Sequence, residues 1–177
     1  MSSLDRYIVT PRVSKHRLFV WVTADTLPDS AVIAFARDDD YFFGVLHSRI
    51  HELWARSQGT QLREVESGFR YTPTSTLETS PFPEPTPDQR VEIAKAAKHL
   101  NTLRQGWLNP PPDDVSLSER RRRTLSNLYS SPPTWLRLAH WSLDEAVSAA
   151  YGWPADLADG EIIARLLDLN LKREAVE

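Results

Sequence analysis

The chain has 177 residues, 41% hydrophobic and 25% charged, with 21 Lys and Arg against 24 Asp and Glu for a net charge of −3. At that length about 70% of the unfolded surface is buried on folding, so one ordinary core forms without staples. The lack of cysteine excludes disulfides, thiolate metal sites and cysteine nucleophiles and fits a reducing cytoplasm, and the acidic balance leaves any nucleic-acid contact to local clusters.

No apolar run reaches the roughly 18 residues of a membrane span, and the start of the chain, with Asp5 and Arg6, lacks the apolar core of a signal peptide. The first elements read as strand, strand, strand, helix. Arg17–Thr23 and Ala31–Ala36 are β-branched and aromatic runs of strand length, with turn composition at Leu27-Pro28-Asp29-Ser30 between them. Asp38-Asp39-Asp40 reads as a solvated turn without the ligand spacing of a calcium loop. Tyr41–Val45 follows as a short buried segment. From Leu46 to Arg56 the apolar residues Leu46, Ile50, Leu53 and Trp54 take helical spacing, and Gly59 is the expected stop. His47 and His51 stand four apart on that helix. The spacing suits a metal, but no third ligand is evident, and a surface pair or a phosphate contact is expected.

Between Thr72 and Pro87 five prolines alternate with Ser and Thr, which predicts a non-helical connector lying against the protein. Beyond it the chain reads as all-helical. Thr86-Pro87-Asp88-Gln89 is a capping box, and Val91, Ala94, Ala97, Leu100, Leu103 and Trp107 mark the predicted apolar face of the helix it opens. Ser116–Glu119 opens a second helix through Leu125 and Leu128. Ser131-Pro132-Pro133 opens a third, and Asp159 a fourth. Asn109-Pro110-Pro111-Pro112 has the start of an amino-methyltransferase tetrad. Its last position lacks the aromatic that stacks on a flipped base, so it reads as a linker. Arg120–Arg123 point around a whole helix and read as a solvated start with acidic partners. Composition and periodicity stop here: an α+β fold, with a small mixed lobe followed by a helical bundle.

Several phrases, in order, resemble the C-terminal part of MmeI-like type IIL restriction–modification DNA adenine methyltransferases. They are Tyr7-Ile8-Val9-Thr10-Pro11-Arg12-Val13-Ser14, Asp39-Asp40-Tyr41 with Phe43-Gly44-Val45-Leu46, Ser48-Arg49-Ile50-His51 with Trp54-Ala55-Arg56, Phe69-Arg70-Tyr71, and Glu78-Thr79-Ser80-Pro81-Phe82-Pro83. The resemblance covers nearly the whole chain. It implies that residues 1–84 are the later part of a DNA target-recognition domain and 85–177 a C-terminal helical domain. The family's glycine-rich S-adenosylmethionine loop, catalytic tetrad and nuclease motif have no match. The resemblance therefore implies a fragment that holds no cofactor or metal and has no catalytic residue of its own. Its parent would use S-adenosylmethionine, and its partners would be double-stranded DNA and the catalytic domain of the same polypeptide. Ser80 stands where relatives carry an aromatic, so weaker docking of the connector is expected.

The same resemblance places Arg12, Ser14, Lys15 and Arg17 on phosphates or base edges, and His51 and Arg56 on a helix near the DNA, with Trp54 packing instead. Arg63, Glu64 and Glu66 lie in the stretch where relatives vary their specificity, just before Arg70, which the resemblance also places among the DNA contacts. Guanidinium there suits guanine and carboxylate suits the cytosine amino group. The competing reading is a helical module that docks a methyltransferase or nuclease without touching DNA.

Overall fold

The computed structural model describes residues 4–61 and 68–174. Of these described residues 55% are helical and 12% are in strands, which makes the fold α+β. The strands are β1 (Arg6–Pro11), β2 (Val13–Ser14), β3 (Val20–Thr23), β4 (Val32–Phe35), β5 (Thr60–Gln61) and β6 (Phe69–Arg70). The helices are α1 (Asp40–His47), α2 (Arg49–Gln58), α3 (Pro73–Thr76), α4 (Pro87–Leu108), α5 (Leu117–Arg122), α6 (Leu125–Ser130), α7 (Thr134–Tyr151) and α8 (Asp159–Glu174).

Two small antiparallel sheets form. In the first, β1 is central, pairing Ile8 with Trp21 of β3 and with Phe35 of β4. In the second, β6 is central, pairing Phe69 with Ser14 of β2 and with Gln61 of β5. Arg12 joins them: its amide donates to Ala31 on one side and its carbonyl accepts from the Tyr71 amide on the other, at 2.9 and 2.8 Å.

The segment from Asp38 to Val45 differs from its sequence reading. Asp39 is no solvated turn residue; its carboxylate accepts the Phe42 amide at 2.9 Å and caps α1, so Tyr41–Val45 is helical. Ser48 then breaks what reads as one helix. Its backbone is extended, its amide and hydroxyl both close the end of α1 on Val45, and its hydroxyl accepts the His51 amide to open α2. The predicted second helix of the C-terminal half splits in the same way, because Thr124 caps a new helix, α6, directly after α5.

The capping box at Thr86 forms with both its bonds, and Gly59 ends α2. The face of α4 is turned from the predicted one. Ile93, Ala97, Leu100 and Arg104 are buried, while Val91 is 61% exposed. A single core of buried residues runs from Ile8 and Phe19 through Phe43, Trp54, Ile93 and Leu100 to Leu143 and Leu166, crossing the expected boundary at 84/85.

At the crossing of α1 and α4, Gly44 carries the close approach. A Cβ there would lie 2.9 Å from Ile93 Cγ2 and 3.0 Å from the Ala97 Cβ. Gly44→Leu is therefore expected to lower stability by about 3 kcal/mol, because overpacking forces two helices apart. A urea midpoint equal to that of the native sequence would show that the crossing can yield.

The connector is not wholly non-helical as expected, because α3 occupies Pro73–Thr76, and its proline-rich remainder is pinned from both sides. Tyr41, Tyr151 and Arg173 donate to the carbonyls of Pro83, Pro81 and Phe82, and Asn170 to that of Thr79. Trp54 Nε1 donates to Thr79 Oγ1 at 3.2 Å. Ser80 does not leave a gap: its hydroxyl lies 3.2 Å from His51 Nδ1. Leu77 and Phe82 pack on the shared core.

Candidate nucleic-acid interface

The second sheet presents one face to the core and one to solvent. Phe69 is fully buried on the inner face, and its cross-strand partner Ser14 is half-buried. Arg70, one residue on, alternates to the outer face, where its partners Val13 and Thr60 are also exposed. Arg12 and Lys15 flank β2 and are exposed, so three of the expected DNA contacts stand at the surface of one short sheet. Among the described residues none of Arg12, Lys15 and Arg70 has an acidic partner within 4 Å. Arg12 Nε donates to the Ser30 carbonyl at 2.6 Å. Ser14 spends its hydroxyl on the His16 carbonyl.

Arg56 borders this face from α2. It is half-exposed, paired with Glu52 at 2.7 Å, and lies 5.0 Å above the Phe69 ring. The same Nη2 that meets Glu52 also donates to the Lys15 carbonyl at 3.4 Å. Arg63, Glu64 and Glu66 lie outside the described residues. In the chain they fall between β5 and Gly68, whose positive φ of 83° brings β6 hard against the Ser14 backbone.

Two expected contacts are corrected by burial. His51 is 1% exposed, with Nε2 at 2.9 Å from the Tyr71 hydroxyl, and burial with the nearby Arg17 charge holds its pKa down at about 3. A ring so enclosed and neutral offers nothing to a phosphate. Arg17 is 5% exposed and spends its guanidinium on Thr10, Pro11 and Phe69, so it is a buried member of the fold. The reading of His47 and His51 as a surface pair falls with them, since His47 is also buried. Trp54 packs as expected, at 2% exposure.

Sequence reasoning missed a polar cluster behind the interface. Arg104, fully buried, donates to the Phe19 carbonyl at 2.9 Å and Asn101 Oδ1 at 3.3 Å, and meets His47 Nε2 at 3.1 Å. His140 Nε2 lies 2.9 Å from the Tyr129 hydroxyl. These groups back a polar cavity of about 250 Å³ lined by His16, Arg17, His47, Arg49, Glu52 and Asp144, among others. Asp144 accepts the Arg49 amide at 2.7 Å, and burial pushes its carboxyl up to about 6. Among the described residues no three His, Asp or Glu side chains gather as a metal site, and no helix is long and apolar enough to cross a membrane. Asn109 closes α4 on Gln105, and the three prolines after it lead toward α5 as a linker.

No family model matches the chain. It is 29% identical over 168 residues to DNA methyltransferase A of Bacillus subtilis (strain 168), across 92% of this chain and 17% of that protein. Its fold is that of part of a type IIL restriction–modification enzyme. The solved structure it resembles is MmeI in complex with DNA, at a TM-score of 0.78 and 24% identity over 99% of this chain and 22% of that one. The likeness read from the sequence phrases therefore holds at the level of fold. The chain spans about a fifth of the length of these relatives.

Proposed function

We propose that the chain is a DNA target-recognition module of a site-specific adenine-N6 methyltransferase of the restriction–modification type. One observation carries the reading: a fold matched over 99% of the chain to an enzyme solved with DNA, with the cations Arg12, Lys15 and Arg70 exposed along one small sheet of that fold. Arg12, Lys15 and Arg70 contact phosphates, with Arg56 and Ser14 at the margin. Arg63, Glu64 and Glu66 read base edges. Methyl transfer from S-adenosylmethionine belongs to a catalytic domain elsewhere in the parent polypeptide. No residue of this chain is assigned to that cofactor, because no glycine-rich strand-to-helix turn borders a cavity among the described residues. The setting is the cytoplasm, in keeping with a cysteine-free chain.

Phosphate contacts release counterions, so the logarithm of the binding constant falls with the logarithm of salt at about 0.9 per contact. The chain is expected to bind short duplexes weakly, in the range of about 10⁻⁴ to 10⁻⁶ M typical of non-specific contact. Arg12→Ala and Lys15→Ala should each flatten the slope by about 0.9. Fluorescence anisotropy against sodium chloride reads both. A slope near zero, or slopes unchanged in the two variants, would count against the module. The competing helical docking module draws on Leu138 and Trp141 of α7, which are 63% and 49% exposed. It requires no salt-dependent binding to DNA.

A further inference from the structure

Arg17 belongs to the basic run before β3, yet its side chain turns inward. Its Nη1 donates to Thr10 Oγ1 at 3.1 Å and to the Pro11 carbonyl, both on β1. Its Nη2 donates to the carbonyl of Phe69 on β6 at 2.9 Å, 52 residues further along the chain. One planar guanidinium therefore ties the central strands of the two sheets together. The cation also lies 4.7 Å from the centre of the Phe69 ring and 5.2 Å from that of Tyr71, while Arg56 covers Phe69 at 5.0 Å. Phe69 is thus held by its carbonyl and its ring, and Arg70, the next residue, carries an exposed cation on the outer face.

Among the described residues β2 and β6 share only two residue pairs, Val13 with Arg70 and Ser14 with Phe69. Two pairs of ladder bonds fix a register poorly by themselves. A fork that reaches across both sheets supplies what the short ladder lacks, because an arginine presents fixed, coplanar donors that a lysine cannot reproduce.

From this geometry we infer that Arg17 is the positioning residue of the interface: it sets β6 against β1 and thereby places Arg70, Arg12 and Lys15 for the duplex without touching the duplex itself. The inference rests on the DNA-recognition reading for its consequence, but the strut can be tested without DNA.

The experiment uses the full chain and its Arg17→Met and Arg17→Lys variants. Amide hydrogen exchange is measured first, without DNA. In Arg17→Met the amides of Phe69, Arg70 and Tyr71 should exchange about tenfold faster or more, while those of Ile93, Leu100 and Leu143 keep their protection, since the opening is local. Arg17→Lys retains the charge and lacks the fork, and should fall between. Binding to a short duplex is then measured against salt. The expected result is an affinity lowered about tenfold in Arg17→Met with an unchanged salt slope, whereas a lost phosphate contact would flatten it by about 0.9. A flattened slope makes Arg17 a contact and overturns the inference. Unchanged exchange at Phe69–Tyr71 overturns the strut, and faster exchange with native affinity overturns its role in binding. If Arg17→Met does not fold, the same readings on Arg17→Lys decide. If the native chain shows no salt-dependent binding, the functional reading fails, and exchange alone still decides the strut.

Discussion

Acidification from about pH 7 to about pH 5 is expected to destabilise the protein by several kcal/mol. The source is three imidazoles, His47 and His51 buried and His140 partly buried. Burial is the main cause in each, with the charge of Arg104 acting on His47 and His140 and that of Arg17 on His51. Their pKa values are depressed, to about 3 for His51 and about 4 for His140, and well below the ordinary value for His47. An unfolded chain takes protons on these rings near pH 6.5 and the native chain does not, so stability falls as pH drops through that value. Asp144 works in the opposite sense. Its carboxyl is raised to about 6, so the native state takes that proton first and gains stability as pH falls below 6. Three groups against one leave a net difference of about two protons. That amounts to about 3 kcal/mol per pH unit between about pH 6 and pH 4.5. Typical total stabilities are about 5–15 kcal/mol, so much of the margin disappears. Urea midpoints at three pH values measure it. A midpoint that holds constant or rises on acidification would mean the imidazoles are not buried neutral.

Gly68→Ala is expected to have the largest effect confined to the interface. The residue sits at φ 83°, where a side chain is strained by about 1–2 kcal/mol. Space is the harder limit. A Cβ would overlap the Ser14 carbonyl oxygen and stand 2.5 Å from the Lys15 nitrogen, and backbone atoms in a paired strand cannot swing aside. β6 must separate from β2, at a cost on the order of 3 kcal/mol or more. The far-ultraviolet helix signal should persist, because the helices draw on the shared core. Amides of Phe69 to Tyr71 should lose protection, and duplex affinity should fall. Native protection and native affinity in this variant would show that the close approach of Gly68 to Ser14 does not govern the interface.

Local grammar was the part of this fold most legible in the sequence. Thr86, Pro87 and Gln89 announce the start of α4 because a capping box satisfies its bonds within four residues. The face of α4 was harder to read. A stripe drawn through apolar residues alone takes in Val91 and passes over Arg104, yet Ile93, Ala97, Leu100 and Arg104 keep the same helical spacing and are the residues buried. The guanidinium is admitted because Phe19, Asn101 and His47 receive it, and none of these is near in sequence except Asn101. Tyr41–Val45 misleads in another way. An aromatic and β-branched run favours a strand, and the Asp39 cap overrides it. At the interface, the exposed cations Arg12, Lys15 and Arg70 follow from the sequence. The burial of Arg17 and His51 does not, because their partners, Phe69 and Tyr71, come from strand and loop far along the chain.

The central claim is that DNA lies on the outer face of the second sheet. A chemical-shift titration of the full chain with a short duplex at low salt tests it most directly, since both readings of the molecule name a surface. The largest shifts are expected at Ser14, Lys15, Thr60 and Arg70, with the α7 positions Leu138 and Trp141 unmoved. Shifts centred on Leu138 and Trp141, or none at the sheet, would contradict it.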